Sequence, residues 1–238
     1  MNGCRPMKSY SARSGNFNKR PYYDLKDVER MCVAELRMIG LCPEKPAPIR
    51  IDRFLEKRFG SAIVRYDTVP AGILGYTIFG PKGVQRIVID RSLDEDGSAM
   101  AERRIRTTMA HEGGHGLLHV HLFGPNSEPL FGDFTDPDKP KIMCRDELKA
   151  GHSSYNGNWW EYQANMAMGI LLLPHHLVEM ALEPFFVPCG LLGIGRLDDS
   201  HRDEAVRTLA ETFNVNPVVA RYRLNELYPV NSGAQLML

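Results

Sequence analysis

The chain has 238 residues, enough to bury a real core in one domain with a small addition. Its 29 Lys+Arg balance its 29 Asp+Glu, and 43% of it is apolar, as in ordinary soluble globular proteins. That balance gives no global attraction to nucleic acid or an anionic surface, and no apolar run approaches the ~18 residues of a membrane span.

Residues 1–22 are polar and basic without an apolar h-region. They do not read as a secretory signal and are expected to form an extended or disordered tail. The five cysteines (Cys4, Cys32, Cys42, Cys144, Cys189) are odd in number and show no paired spacing. Without an export signal they read as reduced thiols, and the expected location is cytoplasmic. Cys144 and His152 are taken as a buried thiol and a loop histidine rather than a second metal site.

Asp24 caps a helix expected to run to Ile39, with Leu25, Val28, Met31, Cys32 and Leu36 as its apolar stripe and Gly40 as its stop. Pro43, Pro46 and Pro48 form a linker, so a boundary is placed after residue 45. A short helix follows at Asp52–Phe59. Three strand-like runs come next: Ala62–Tyr66, Ile73–Phe79 and Gln85–Ile89. The last two flank the turn Gly80-Pro-Lys-Gly83 and predict a hairpin in a small antiparallel sheet. Such strands either grip a substrate peptide at the sheet edge or simply cover the core.

The next stretch carries chemistry. His111-Glu112-Gly-Gly-His115 is the HExxH pattern of zinc peptidases. On a helix, residues i and i+4 share one face, so His111 and His115 can aim two imidazoles at one metal. Glu112 lies ~100° around the same helix. Its carboxylate is therefore beside the metal, where it can take a proton from the attacking water. The alternative is a surface helix that merely carries two histidines. Ser98 is a suitable N-cap. Ile105, Met109, Ala110, Gly113, Gly116, Leu117 and Val120 make the opposite face. Gly113 and Gly114 each cost a helix ~1 kcal/mol relative to Ala, which close approach of another element would justify.

Residues 122–158 are rich in Gly, Pro, Asp, Asn and Ser and read as a long irregular segment, a lid or a mobile loop. Leu122, Phe123, Leu130, Phe131 and Phe134 are its expected tethers. A second apolar helix runs from Trp159 to Pro174, with Glu161, Ala164, Asn165, Met168 and Leu172 on one stripe. A carboxylate leading such a stripe needs a partner, and a metal supplies one. Asn165, one turn on, can accept a histidine Nδ1–H. The plainer reading puts Glu161 at an exposed first turn, favoured by the helix dipole. His121 is the rival third ligand, ten residues after His111. His119 sits another turn, roughly 5–6 Å, along the axis.

Pro174–Leu182 reads as a short helix with solvated His175 and His176, and 183–197 as a Gly/Pro-rich connector. Helices are expected from Ser200 and Asp203 to Phe213, and from Asn216-Pro217 to about Tyr228. The pair resembles a helix-turn-helix in which Arg221 and Arg223 can meet phosphate. The mixed charge around it argues against direct DNA binding.

Taken together, the chain resembles the ImmA/IrrE family of zinc metallopeptidases. The likeness rests on Arg104-Ile-Arg106-Thr-Thr-Met-Ala-His-Glu-Gly-Gly-His115 with His119 beyond, and on Glu161-Tyr-Gln-Ala-Asn165 leading to Pro174. Phe213-Asn-Val215 and Arg223-Leu224 add to it, and it spans roughly residues 50–228. Thr107 replaces the usual aromatic, Gly113 a usual leucine, and the first 45 residues have no counterpart. The resemblance implies a zincin-like α+β fold with zinc on His111, His115 and Glu161 and Glu112 as catalytic base. With the Pro linker and the 183–197 connector as boundaries, the chain is expected to divide into 1–45 (tail and helix), 46–182 (peptidase) and 183–238 (helical). The resemblance also implies a cytoplasmic peptidase acting on a protein substrate, a helix-turn-helix transcriptional repressor, in stress responses or mobile elements. A non-catalytic, zinc-stabilised binding module is the alternative, and an intact Glu112 weighs against it. A second oxyanion donor is not evident; Tyr155, Tyr162 and His201 are candidates.

Overall fold

The computed structural model describes residues 9–11, 19–80, 82–122, 141–145, 159–189 and 194–230. Among them the architecture is α+β: eight α-helices, a four-stranded mixed sheet and two two-stranded pairs. In the tail, β1 (Ser9–Ser11) and β2 (Lys19–Pro21) are extended, and they pair antiparallel with each other.

Helix α1 (Leu25–Met38) starts where Asp24 accepts a hydrogen bond from the Asp27 N–H at 2.7 Å. Its stripe faces inward, with Val28, Cys32 and Leu36 fully buried. Helix α2 (Ile51–Phe59) buries Phe54 and Leu55 and ends at Gly60. The main sheet contains β3 (Val64–Asp67), β4 (Ile73–Gly80), β5 (Gly83–Asp90) and β6 (Lys141–Arg145), in the order β3-β5-β4-β6. Strands β4 and β5 form the expected hairpin. The sheet is mixed rather than antiparallel, because β3 runs parallel to β5. The short connection 68–72 reverses the chain from β3 into β4, and the hairpin reverses it again. Strand β6 lies in the stretch expected to be irregular and pairs with β4.

Helix α3 (Arg91–Asp96), which the pattern did not suggest, precedes α4 (Ala99–Leu118). Ser98 caps α4 by accepting from the Ala101 N–H at 3.1 Å. One side of α4 meets β4 and β5; α2 and α5 (Trp159–Leu172) also pack on it. Its glycines mark these approaches. A Cβ on Gly113 would stand 2.9 Å from Leu55 Cδ2, and one on Gly114 would stand 3.0 Å from the Ala164 carbonyl and the Ala167 Cβ. On the sheet side, a Cβ on Gly75 would lie 2.7 Å from Thr108 Cγ2. Helix α4 is therefore held at backbone range by both a sheet and a helix.

Helix α6 (His175–Leu182) follows Pro174. His175 is exposed as expected, whereas His176 is half-buried, 3.7 Å from Cys42 Sγ. The supposed connector contains an antiparallel pair, β7 (Phe186–Cys189) and β8 (Ile194–Leu197). Helices α7 (Arg202–Thr212) and α8 (Pro217–Leu227) complete the chain, and Asn216 caps α8. One apolar core takes in residues from α1, α2, α4, α5, α6, α7 and α8.

Two arginine clusters tie these parts together. Arg223 is completely buried on α8; it donates to the Leu173 carbonyl and pairs with Glu29 of α1 and Glu226. Arg106 of α4 donates to the carbonyls of Asn214 and Ile49, at 3.1 and 3.0 Å. Arg103 donates to Asn214 Oδ1 at 3.0 Å, and Asn214 adopts a left-handed φ of 48° in the α7–α8 turn. Arg221 is exposed and paired with Asp203. The Arg pair read as possible phosphate contacts is thus one core residue and one surface ion pair. No helix among the described residues is long and apolar enough to cross a membrane.

Candidate metal centre

The crossing of α4 and α5 brings His111, His115 and Glu161 together. His111 Nε2 lies 3.0 Å from His115 Nε2 and 3.1 Å from Glu161 Oε2; the third separation is 3.5 Å. Donors on one tetrahedral zinc, each ~2.0–2.1 Å from the ion, stand roughly 3.3 Å apart. The triangle has the size a single ion requires. Both histidines are buried, and the Glu161 side chain is 17% exposed. Among the described residues, this is the one group of three His, Cys, Asp or Glu side chains close enough to hold a metal ion.

Hydrogen bonding decides what the triangle presents. Asn165 Oδ1 is 2.9 Å from His111 Nδ1, so that nitrogen carries the proton and Nε2 offers its lone pair. His115 Nδ1 is engaged at 2.9 Å by His119 Nδ1. With the proton on His115 Nδ1, its Nε2 also offers a lone pair. Two imidazole lone pairs and a carboxylate oxygen then face one another at contact distance, an arrangement only a cation relieves. Without a metal, a proton on the imidazole Nε2 atoms plays that part: burial pushes the Glu161 carboxyl up, but charged His115 and His111 donating to it outweigh this and hold it well below the usual carboxylate range. Burial lowers the His115 imidazole, against the pull of Glu161.

Glu112 stands beside the triangle, fully buried. Its Oε2 accepts a 2.6 Å hydrogen bond from Thr77 Oγ1 on β4, and its Oε1 has no partner among the described residues. Burial pushes its carboxyl up to about 8, opposed by His111 and the Thr77 hydrogen bond. A cation on the donor triangle would pull it back down. An orphaned buried carboxylate oxygen costs ~1–3 kcal/mol or more. That orphan, beside three converging donors, fits a metal that carries a water.

The Thr77 contact follows from register. Gly75 of β4 abuts Thr108 of α4. Two residues along a strand advance ~6.6 Å, and four along a helix ~6.0 Å. Thr77 therefore meets Glu112 as Gly75 meets Thr108. The sequence pattern did not single out Thr77, Gln163 or Arg103, whose partners Glu112, His119 and Asn214 lie 35, 44 and 111 residues away along the chain.

The other candidates are placed as follows. His121 lies exposed in a 3₁₀ turn, Val120–Leu122, outside the donor group. His119 is fully buried. Tyr162 is exposed in the first turn of α5, and His201 is exposed and bonded to Asp198 at 2.9 Å. Tyr155, His152, Phe123, Leu130, Phe131 and Phe134 lie outside the described residues. No family model matches the chain, and no curated protein matches it.

Proposed function

We propose that this chain is a zinc-dependent endopeptidase of the ImmA/IrrE kind with a zincin-like fold. His111, His115 and Glu161 would hold the ion. The observation that supports this best is the donor triangle, whose two Nε2 lone pairs are fixed by hydrogen bonds on the far side of each ring. Zinc would lower the pKa of its water to about 7 and polarise the scissile carbonyl. Glu112 Oε1 takes a proton as water oxygen bonds to the carbonyl carbon, and returns it to the amine as the C–N bond breaks. Thr77 holds the other carboxylate oxygen, so the base presents one oxygen to the reaction. A buried base with one oxygen committed and one orphaned supports turnover over a purely structural zinc site. The substrate reading, a helix-turn-helix repressor, comes from the sequence likeness.

The experiment uses metal-replete full-length protein. Elemental analysis should give one zinc per chain. Incubation with the repressor encoded nearest its gene should give a single cut, absent with Glu112→Gln, which should keep its zinc. Zinc near zero would overturn the metal reading. Zinc without hydrolysis by the wild type would support a binding module instead.

A further inference from the structure

The HExxH helix carries a third histidine at the same spacing, and its burial is unexplained by either catalysis or coordination. His119 has no exposed surface. Its Nδ1 is 2.9 Å from His115 Nδ1, and its Nε2 is 3.0 Å from Gln163 Oε1 on α5. The Trp159 ring packs edge-on against it, with centroids 5.9 Å apart. We propose that His119 and Gln163 form a hydrogen-bonded relay that fixes the tautomer and ring plane of the metal ligand His115.

The direction of the relay follows from donor counting. The glutamine oxygen only accepts, so His119 must carry its proton on Nε2. His119 Nδ1 is then an acceptor and takes the proton of His115 Nδ1. That leaves His115 Nε2 as a lone pair, facing His111 and Glu161. Reversing either ring would set lone pair against lone pair at about 3 Å. The relay parallels the one at His111, where Asn165 accepts directly. Both histidines are therefore set by amide oxygens of α5, one directly and one through an intervening ring. An amide terminus orients the ligand without adding a negative charge, unlike the carboxylate partner common at zinc histidines.

His119 and Gln163 are positioning residues, and the proposal rests on the metal reading above. Zinc affinity is measured by chelator competition for wild type, His119→Leu and His119→Gln. Loss of an outer hydrogen-bond partner typically costs 10–100-fold in metal affinity. His119→Leu should fall in that range, and His119→Gln, which can offer an amide oxygen to His115, should recover most of it. Ring ¹⁵N shifts of histidine-labelled protein, metal-free and zinc-loaded, should show Nε2–H on His119 and Nδ1–H on His115. Wild-type affinity in His119→Leu, or Nδ1–H on His119, overturns the relay. If His119→Leu does not fold, the ring shifts and His119→Gln decide. If the wild type binds no zinc, the metal reading falls, and the metal-free ring shifts alone decide the relay.

Discussion

Replacing Glu161 by Ala removes the one anionic donor from the triangle, and its effect can be sized. Structural zinc sites bind with roughly 10–16 kcal/mol, so one ligand of four accounts for on the order of 3 kcal/mol. That is about 100-fold in affinity. The structure adds a reason to expect no smaller loss: without Glu161 the two Nε2 atoms still face each other at 3.0 Å, with no carboxylate to balance the ion. Glu161→Gln should fall between the two, since an amide oxygen remains without its charge. His121→Ala is the control, because His121 lies outside the donor group. Zinc affinity by chelator competition reads all three. Full affinity in Glu161→Ala, or its loss in His121→Ala, would remove Glu161 from the site and favour a third histidine ligand.

Thr77→Val preserves shape but deletes the hydrogen bond to Glu112. A hydrogen bond to a charged group contributes about 1.5–3 kcal/mol, so kcat/KM should drop roughly 10–150-fold while zinc stays bound. An unchanged rate would separate Thr77 from the base. In metal-free protein, Glu112 should make stability depend on pH. Its carboxyl is raised to about 8 in the fold and ionises near its ordinary value when unfolded. Wild type should therefore lose stability relative to Glu112→Gln as pH rises from about 4.5 through about 8, in paired thermal melts. A flat difference would refute the burial argument. Gly114→Ala should weaken zinc binding although alanine favours helix by ~1 kcal/mol, because its Cβ meets the α5 backbone. Undiminished affinity would show that helix spacing does not set the site.

What the sequence displayed was periodic, and what it concealed was register between elements. His111, Glu112 and His115 on α4, and Glu161 and Asn165 on α5, stand at spacings that helical geometry interprets within each helix. Thr77 does not: it is one of several strand residues, singled out only because β4 and α4 advance in step past Gly75 and Thr108. Gln163 lies about 200° around α5 from Glu161, so no stripe includes both. Only a long side chain returning toward α4 lets it reach His119. The mixed sheet was missed for a related reason. Strand runs show alternation, but not which neighbour each run takes, and β3 chose the far edge of β5. Strand β6 is a short run inside a polar, turn-rich stretch, where composition outweighed a brief β signal.

The site divides its work between the two partners of α4. Helix α4 supplies Glu112 and both histidines, but the groups that fix them come from opposite sides. Glu112 is held by Thr77 of the sheet, and the histidines by Asn165 and, through His119, Gln163 of α5. Small glycine contacts hold both partners at backbone range, at Gly75 toward the sheet and Gly114 toward α5. Packing of this kind is stiff, because any added methyl group must displace a neighbour. The three glycines of the HExxH helix, Gly113, Gly114 and Gly116, are costly for helix formation alone. Gly113 and Gly116 admit the side chains of Leu55 and Phe59 from α2, and Gly114 admits the α5 backbone, the approach that brings Glu161 and both amide acceptors to the same pair of histidines.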